Sequence, residues 1–195
     1  WVLENRLRYR IRVLNISVGI GEDGDAARME ELTGLLETVC EQGVVVVCAA
    51  GNKGPGEGTL SPLGTSRRVI TVGCHEGGYF GNRRDLCENY SGRGWDALVY
   101  RKPDLVAPGT DIVSCNGNLR RDRRGGYREP YVKKSGTSMA TPIVSGAAAL
   151  YLQKFPFSSS EQVKRQMVYT ARDLGVEWNR QGWGMLDIEN LFRYY

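Results

Sequence analysis

The chain has 195 residues, a formal net charge of +4, 41% hydrophobic residues and 25% charged ones. That is the size and composition of one soluble-type globular domain able to bury a sizeable core. The charge is too mild to imply a nucleic-acid partner, no apolar run reaches membrane-span length, and the first residues hold no apolar signal core.

Residues 11–18 alternate and then turn apolar, which predicts a strand. Gly19-Ile20-Gly21-Glu22-Asp23-Gly24 follows and matches the G-x-G-x-x-G pattern of dinucleotide sites. Glu22 and Asp23 argue against that use, because they would set two negative charges beside a pyrophosphate. The next strand also ends in Cys48-Ala49-Ala50, where a ribose-binding acid belongs. Over 26–42, Met29, Leu32, Leu35, Leu36, Val39 and Cys40 share one helical face, and Gly43 ends the helix. The Val run at 44–48 is too apolar for a half-exposed strand and suits a central parallel one. A further strand is expected at 68–74. Residues 75–135 are richer in Gly, Arg and Asp, with shorter strands near 104–107 and 111–115.

Arg120, Arg121, Arg123, Arg124, Arg128, Lys133 and Lys134, interleaved with Gly125, Gly126 and Pro130, read as an exposed loop or hairpin, with a cleavage site or an acidic partner's docking patch as the alternative. An apolar helix runs from Ser138 to about Lys154 and carries Val144, Ala147, Ala148, Leu150, Tyr151 and Leu152. Pro156 breaks the chain. Ser158 or Ser159 then caps a helix reaching about Ala171, with Glu161 and Gln162 placed for a capping box. A short helix from Ile188 to Phe192 closes the chain. This alternation predicts an α/β fold: three layers, a mostly parallel sheet with helices on both faces, and a single domain over 1–195.

Two segments carry chemistry. Gly136-Thr137-Ser138-Met139-Ala140-Thr141-Pro142 delivers a serine to the first turn of the apolar helix. Free N–H groups and the helix dipole there favour developing negative charge, which acyl transfer requires around its nucleophile. The alternative is that Ser138 only caps the helix. Gly43 to Asn52 reads as a buried strand ending in a small-residue turn, with the Asn52 amide at the strand's C-terminal end, where open α/β sheets place ligands. That amide can donate to an oxyanion; the plainer reading is a turn cap.

Together the two segments resemble the subtilisin-like serine peptidases (subtilases). The resemblance extends through Asn15-Ile16-Ser17-Val18-Gly19, Val69 to Gly73, Asp104-Leu105-Val106-Ala107-Pro108-Gly109, and Gly182-Trp183-Gly184-Met185-Leu186-Asp187, all in the family's order. It implies a serine endopeptidase with Ser138 as nucleophile and Asn52 in the oxyanion hole. It further implies that Ser17, Val18 and Gly19 pair with extended substrate, that Ala49, Ala50 and Gly51 wall the first specificity pocket, and that Lys53 sits at that pocket's mouth. Ile20 stands where a second Gly is usual, and Ile143 replaces a frequent non-catalytic His.

A subtilisin-type triad runs Asp, His, Ser along the chain. The single histidine, His75, follows Asn52 instead of preceding it, and no Asp occurs before Ser17. His75 therefore reads as a surface or satisfied polar group. The chain is expected to be the C-terminal part of a longer peptidase domain, inactive alone, with the base and its carboxylate outside it. The expected partners are a peptide or protein substrate, the missing upstream segment and a second copy of the chain, with no nucleic acid and no membrane. A pseudopeptidase that keeps the fold for binding or regulation is the alternative.

Five cysteines, Cys40, Cys48, Cys74, Cys87 and Cys115, show no C-x-x-C spacing, so no zinc site is expected. No cofactor is expected, and calcium, common in the family, has no assignable ligands here. The odd count argues against a complete disulfide framework. Cys48 and Cys74, in apolar strands, read as small buried hydrophobes, which leans toward a reducing compartment.

Overall fold

The computed structural model describes residues 1–18, 26–95, 100–118, 120–121 and 126–193. A short helix α1 (Val2–Asn5) leads into strand β1 (Val13–Ile16), helix α2 (Ala26–Glu41) and strands β2 (Val45–Ala49), β3 (Ile70–Cys74) and β4 (Leu105–Ala107). These four strands form one parallel sheet in the order β1-β2-β3-β4. Strand β2 is buried at every position, as its unbroken Val run requires of a strand covered on both faces.

The strand's period of two divides the core. Val45 and Val47 face one cluster with Ile70, Val72 and the apolar side of helix α3 (Thr137–Lys154). Val44, Val46 and Cys48 face the other, with Leu32, Leu36, Val39 and Cys40 of α2. Helices α4 (Ser160–Thr170) and α6 (Ile188–Arg193) add Val163, Met167 and Leu191 to the first cluster. The result is three layers with helices on both faces of the sheet. Leu35 and Leu150 turn outward, at 47% and 50% exposure, so the apolar stripes of α2 and α3 are narrower than the sequence suggests.

Between β4 and α3, strand β5 (Ile112–Cys115) pairs antiparallel with β8 (Tyr131–Lys134), and β6 (Arg120–Arg121) pairs with β7 (Tyr127–Arg128). The arginine-rich stretch thus takes the hairpin form of its two expected alternatives; residues 122–125 lie outside the described ones. Ser159, not Ser158, caps α4. Its hydroxyl accepts the Gln162 N–H at 3.1 Å, and Gln162 Oε1 accepts the Ser159 N–H at 2.8 Å, a complete capping box. The four-residue helix α5 (Trp178–Gln181) had no signal long enough to announce it.

One buried ionic cluster ties the sheet to α4. Lys102 is fully buried, and its ammonium donates to Asp104 Oδ2 and Thr71 Oγ1, both at 2.7 Å; Lys164 reaches Asp104 Oδ1 at 2.8 Å. Burial pushes Lys102 down to about 8 against the pull of Asp104.

Candidate active site

Strands β1 and β2 run parallel, so both deliver their C-terminal ends to the same edge of the sheet, and α3 begins there. Gly136 precedes α3 as its N-cap at φ 138°, without a capping side chain. Ser138 is therefore the second residue of the helix and not its cap. Its N–H belongs to the first turn, which has no carbonyl partner four residues back. The half-buried Ser138 hydroxyl donates to the Ser17 carbonyl at 3.2 Å, across 121 residues of sequence.

Asn52 meets this turn from β2. Its Oδ1 accepts the Thr137 N–H at 3.0 Å and the Thr137 hydroxyl at 3.1 Å, while Thr137 Oγ1 accepts the Gly51 N–H at 3.2 Å. The amide oxygen is thus committed twice, to the residue directly before Ser138. Only glycine serves at 136: a Cβ there would lie 3.2 Å from Asn52 Nδ2, at a φ that side chains resist. Thr137 was not singled out in the sequence, although its place directly before the serine was the available signal.

The remaining expected site residues are placed as follows. Ser17 is half-buried and Val18 exposed just beyond the end of β1, an edge strand of the described sheet; Gly19 lies outside the described residues, as does the whole Gly19–Gly24 motif. Ala49 and Ala50 are buried, and Gly51 is partly open. This turn is strapped on both sides, by Ser61 N–H to the Ala50 carbonyl and Gly92 N–H to the Gly51 carbonyl, each 2.7 Å. Lys53 is exposed beside Asn52. A surface cavity of about 510 Å³ lies elsewhere, lined by Glu76, Phe80, Thr110 and Arg172 among others.

His75 is buried at the end of β3. Its Nδ1 accepts the Gly77 N–H at 2.9 Å, and burial holds its imidazole below the ordinary range, with Glu88 opposing. An Nδ1 that accepts a hydrogen bond carries no proton, so the 3.3 Å approach of Glu88 Oε2 is not an ion pair. The ring is a neutral group held through Nδ1, and among the described residues it makes no hydrogen bond to Ser138.

The cysteine expectation needs correction. Cys74 is not a free small hydrophobe: it is joined to Cys87, 13 residues on, with Cα atoms 5.8 Å apart. The turn over 75–86 folds the two together, which spacing alone does not reveal. Cys48 is buried and free, its thiol pushed up to about 12 by burial. Cys74, Glu76 and Cys87 also place donor atoms close enough to share a metal ion, but sulfurs held in a disulfide are not thiolate ligands.

A parallel α/β sheet thus carries a serine in the first turn of a buried helix, with an amide from the end of β2 bonded to the same turn. Comparison with known proteins shows the family. The profile of the subtilase family matches residues 3–184, and the chain belongs to that family. It is 36% identical over 166 residues to serine protease AprX of Bacillus subtilis (strain 168), covering 79% of this chain and 36% of that protein. It is 30% identical over 192 residues to subtilisin DY of Bacillus licheniformis, covering 97% and 58%. Among solved structures, the prenylagaramide maturation protease PagA superposes with a TM-score of 0.69 at 27% identity, covering 98% of this chain and 64% of that one. Sphericase gives a TM-score of 0.74 at 23% identity, covering 94% and 59%, and supports the fold. The chain thus spans less than two thirds of the length of these curated relatives.

Proposed function

We propose that this chain is the nucleophile-bearing part of a serine endopeptidase domain. Ser138 Oγ attacks the scissile carbonyl and forms an acyl-enzyme, which water then hydrolyses. Asn52 Nδ2–H and the Ser138 N–H hold the oxyanion. The observation that carries this reading is the double anchoring of Asn52 Oδ1 on Thr137, the residue directly before Ser138, which holds the amide at the turn that carries the nucleophile.

The base that takes the Ser138 proton is a histidine outside this sequence, oriented by an aspartate also outside it. The only histidine here is engaged with Gly77, and the Ser138 proton points at the Ser17 carbonyl, which has no use for it as a base. The 195-residue chain alone is accordingly catalytically silent. Extended substrate adds a strand along Ser17, Val18 and Gly19, and Ala49, Ala50 and Gly51 back the first pocket, with Lys53 at its mouth. Among the described residues β1 is an edge strand, and with the exposed Val18 (57%) this favours pairing with the segment that brings the base, or with a second copy.

The test is peptide hydrolysis by the domain completed with that segment, for the wild type, Ser138→Ala and Asn52→Ala. Loss of turnover in the first variant and retained substrate binding in both supports the assignment. Full turnover by Ser138→Ala removes it.

A further inference from the structure

The loop joining β4 to β5 supports the turn that carries Ser138 directly. Gly109 C=O accepts the Gly136 N–H at 2.9 Å, and Gly136 is the residue from which α3, Thr137 and Ser138 start. The approach is close: a Cβ on Gly109 would lie 2.7 Å from the Gly136 carbonyl oxygen and 2.8 Å from Cys74 Sγ. What holds this loop is a buried carboxylate. Glu76 is 5% exposed, and its Oε1 accepts the N–H groups of both Gly109 and Thr110, at 2.9 and 2.7 Å. Its own N–H is tied to Glu88 Oε2 at 2.9 Å. The Cys74–Cys87 disulfide closes around it, and the Cys87 N–H donates to Thr110 Oγ1 at 2.9 Å.

We infer that Glu76 is a positioning residue for the nucleophile, acting through Gly109 and Gly136 on the Ser138–Asn52 pair. Charge-assisted bonds to a buried carboxylate are stronger than neutral ones, and two successive N–H groups on one oxygen fix the peptide plane between them. That plane sets where the Gly109 carbonyl points. The carbonyl sets Gly136, and Gly136 sets both the first turn of α3 and its packing against the Asn52 amide. Displacement of an oxyanion donor or nucleophile by about 1 Å costs up to roughly 10²-fold in rate, so support at this distance is enough to matter.

The kinetic part rests on the peptidase reading; the structural part does not, and the experiment separates them. Amide hydrogen exchange is measured on Glu76→Ala and Glu76→Gln beside the wild type, together with kcat and KM of the completed domain. In Glu76→Ala, exchange should rise about tenfold or more at Gly109 and Thr110 and also at Gly136 and Thr137, with β2 amides unchanged. Its kcat should fall between about tenfold and 10²-fold with KM within about twofold. Glu76→Gln keeps an acceptor oxygen of the same reach and should restore both readouts to within about threefold of wild type. If the Ala variant does not fold, Glu76→Asp, one methylene shorter, carries the same comparison. Faster exchange confined to Gly109 and Thr110, or a kcat equal to wild type in an active domain, overturns the inference. An inactive wild type counts against the peptidase reading alone, and the exchange pattern then decides the role of Glu76.

Discussion

Asn52 and Thr137 lie 85 residues apart in sequence, and the Asn52 amide oxygen accepts both the backbone N–H and the side-chain hydroxyl of Thr137. One contact therefore joins the end of β2 to the start of α3. It also commits the amide oxygen, so that under the proposed reading the amide nitrogen is the end that serves the oxyanion. In the completed domain, Asn52→Ala should lower kcat by about 10²–10³-fold, the scale established for the oxyanion-hole amide of subtilisin, with KM little changed. Steady-state kinetics on one peptide substrate decide this, and an unchanged kcat would mean that the amide does no electrostatic work.

Thr137→Val separates orientation from donation. The backbone N–H still holds Asn52, but the hydroxyl bond is gone and the Gly51 N–H loses its acceptor. Two hydrogen bonds go, each worth about 0.5–1.5 kcal/mol, so kcat should fall by about threefold or more with KM nearly constant. Thr137→Ser, which keeps the hydroxyl, should stay near wild type. Equal kcat for Val and Ser variants would show that the backbone bond alone orients the amide.

Lys53 is exposed beside Asn52, so its charge should act on specificity and not on chemistry. The wild type should favour acidic over basic side chains in the first pocket by under about 1 kcal/mol at low salt, and Lys53→Glu should reverse that preference. A peptide library read at two ionic strengths measures it. Equal rates for Glu and Lys peptides in both proteins would remove Lys53 from specificity.

The layered α/β fold was legible because its main elements are long and strongly patterned. The Val run of β2 could only be a strand covered on both faces, and the stripe through Leu32, Leu36, Val39 and Cys40 fixed how α2 packs. The serine and the amide were legible as local motifs, each at the end of such an element. What joins them was not. The bond from Asn52 to Thr137, the Cys74–Cys87 disulfide and the grip of Glu76 on Gly109 and Thr110 all depend on long-range approach, which a one-dimensional pattern does not encode. Short elements such as α5 and the β6–β7 hairpin carry too few residues to show a period.

The buried ionic cluster predicts a large stability effect far from the chemistry. Asp104→Asn leaves Lys102 and Lys164 facing each other without an anion, and removing one partner from a buried pair costs about 3–5 kcal/mol. Urea unfolding should show a lower midpoint with an unchanged m-value. A loss under about 1 kcal/mol would mean that water reaches the site.

His75 gives a pH signature because it is the chain's single histidine. Its folded pKa lies below 6.5 through burial, so the unfolded chain takes up this proton first as pH falls. The contribution to stability is complete above about pH 6.5 and is lost progressively below it, down through the folded pKa. Melting temperatures between about pH 7.5 and 5.5 should fall for the wild type and stay flatter for His75→Asn. Identical slopes would place the titration on other groups.

The most direct test of the central claim is labelling of Ser138 by a serine-directed phosphonate, followed by mass spectrometry. It is run on the 195-residue chain alone and on the chain completed with the histidine-bearing segment that the proposal requires. Without a base, Ser138 keeps the reactivity of an ordinary alcohol, so the chain alone should label slowly and the completed domain fast, at Ser138 only and not in Ser138→Ala. Fast labelling of Ser138 in the chain alone, or no labelling of it in the completed domain, contradicts the account.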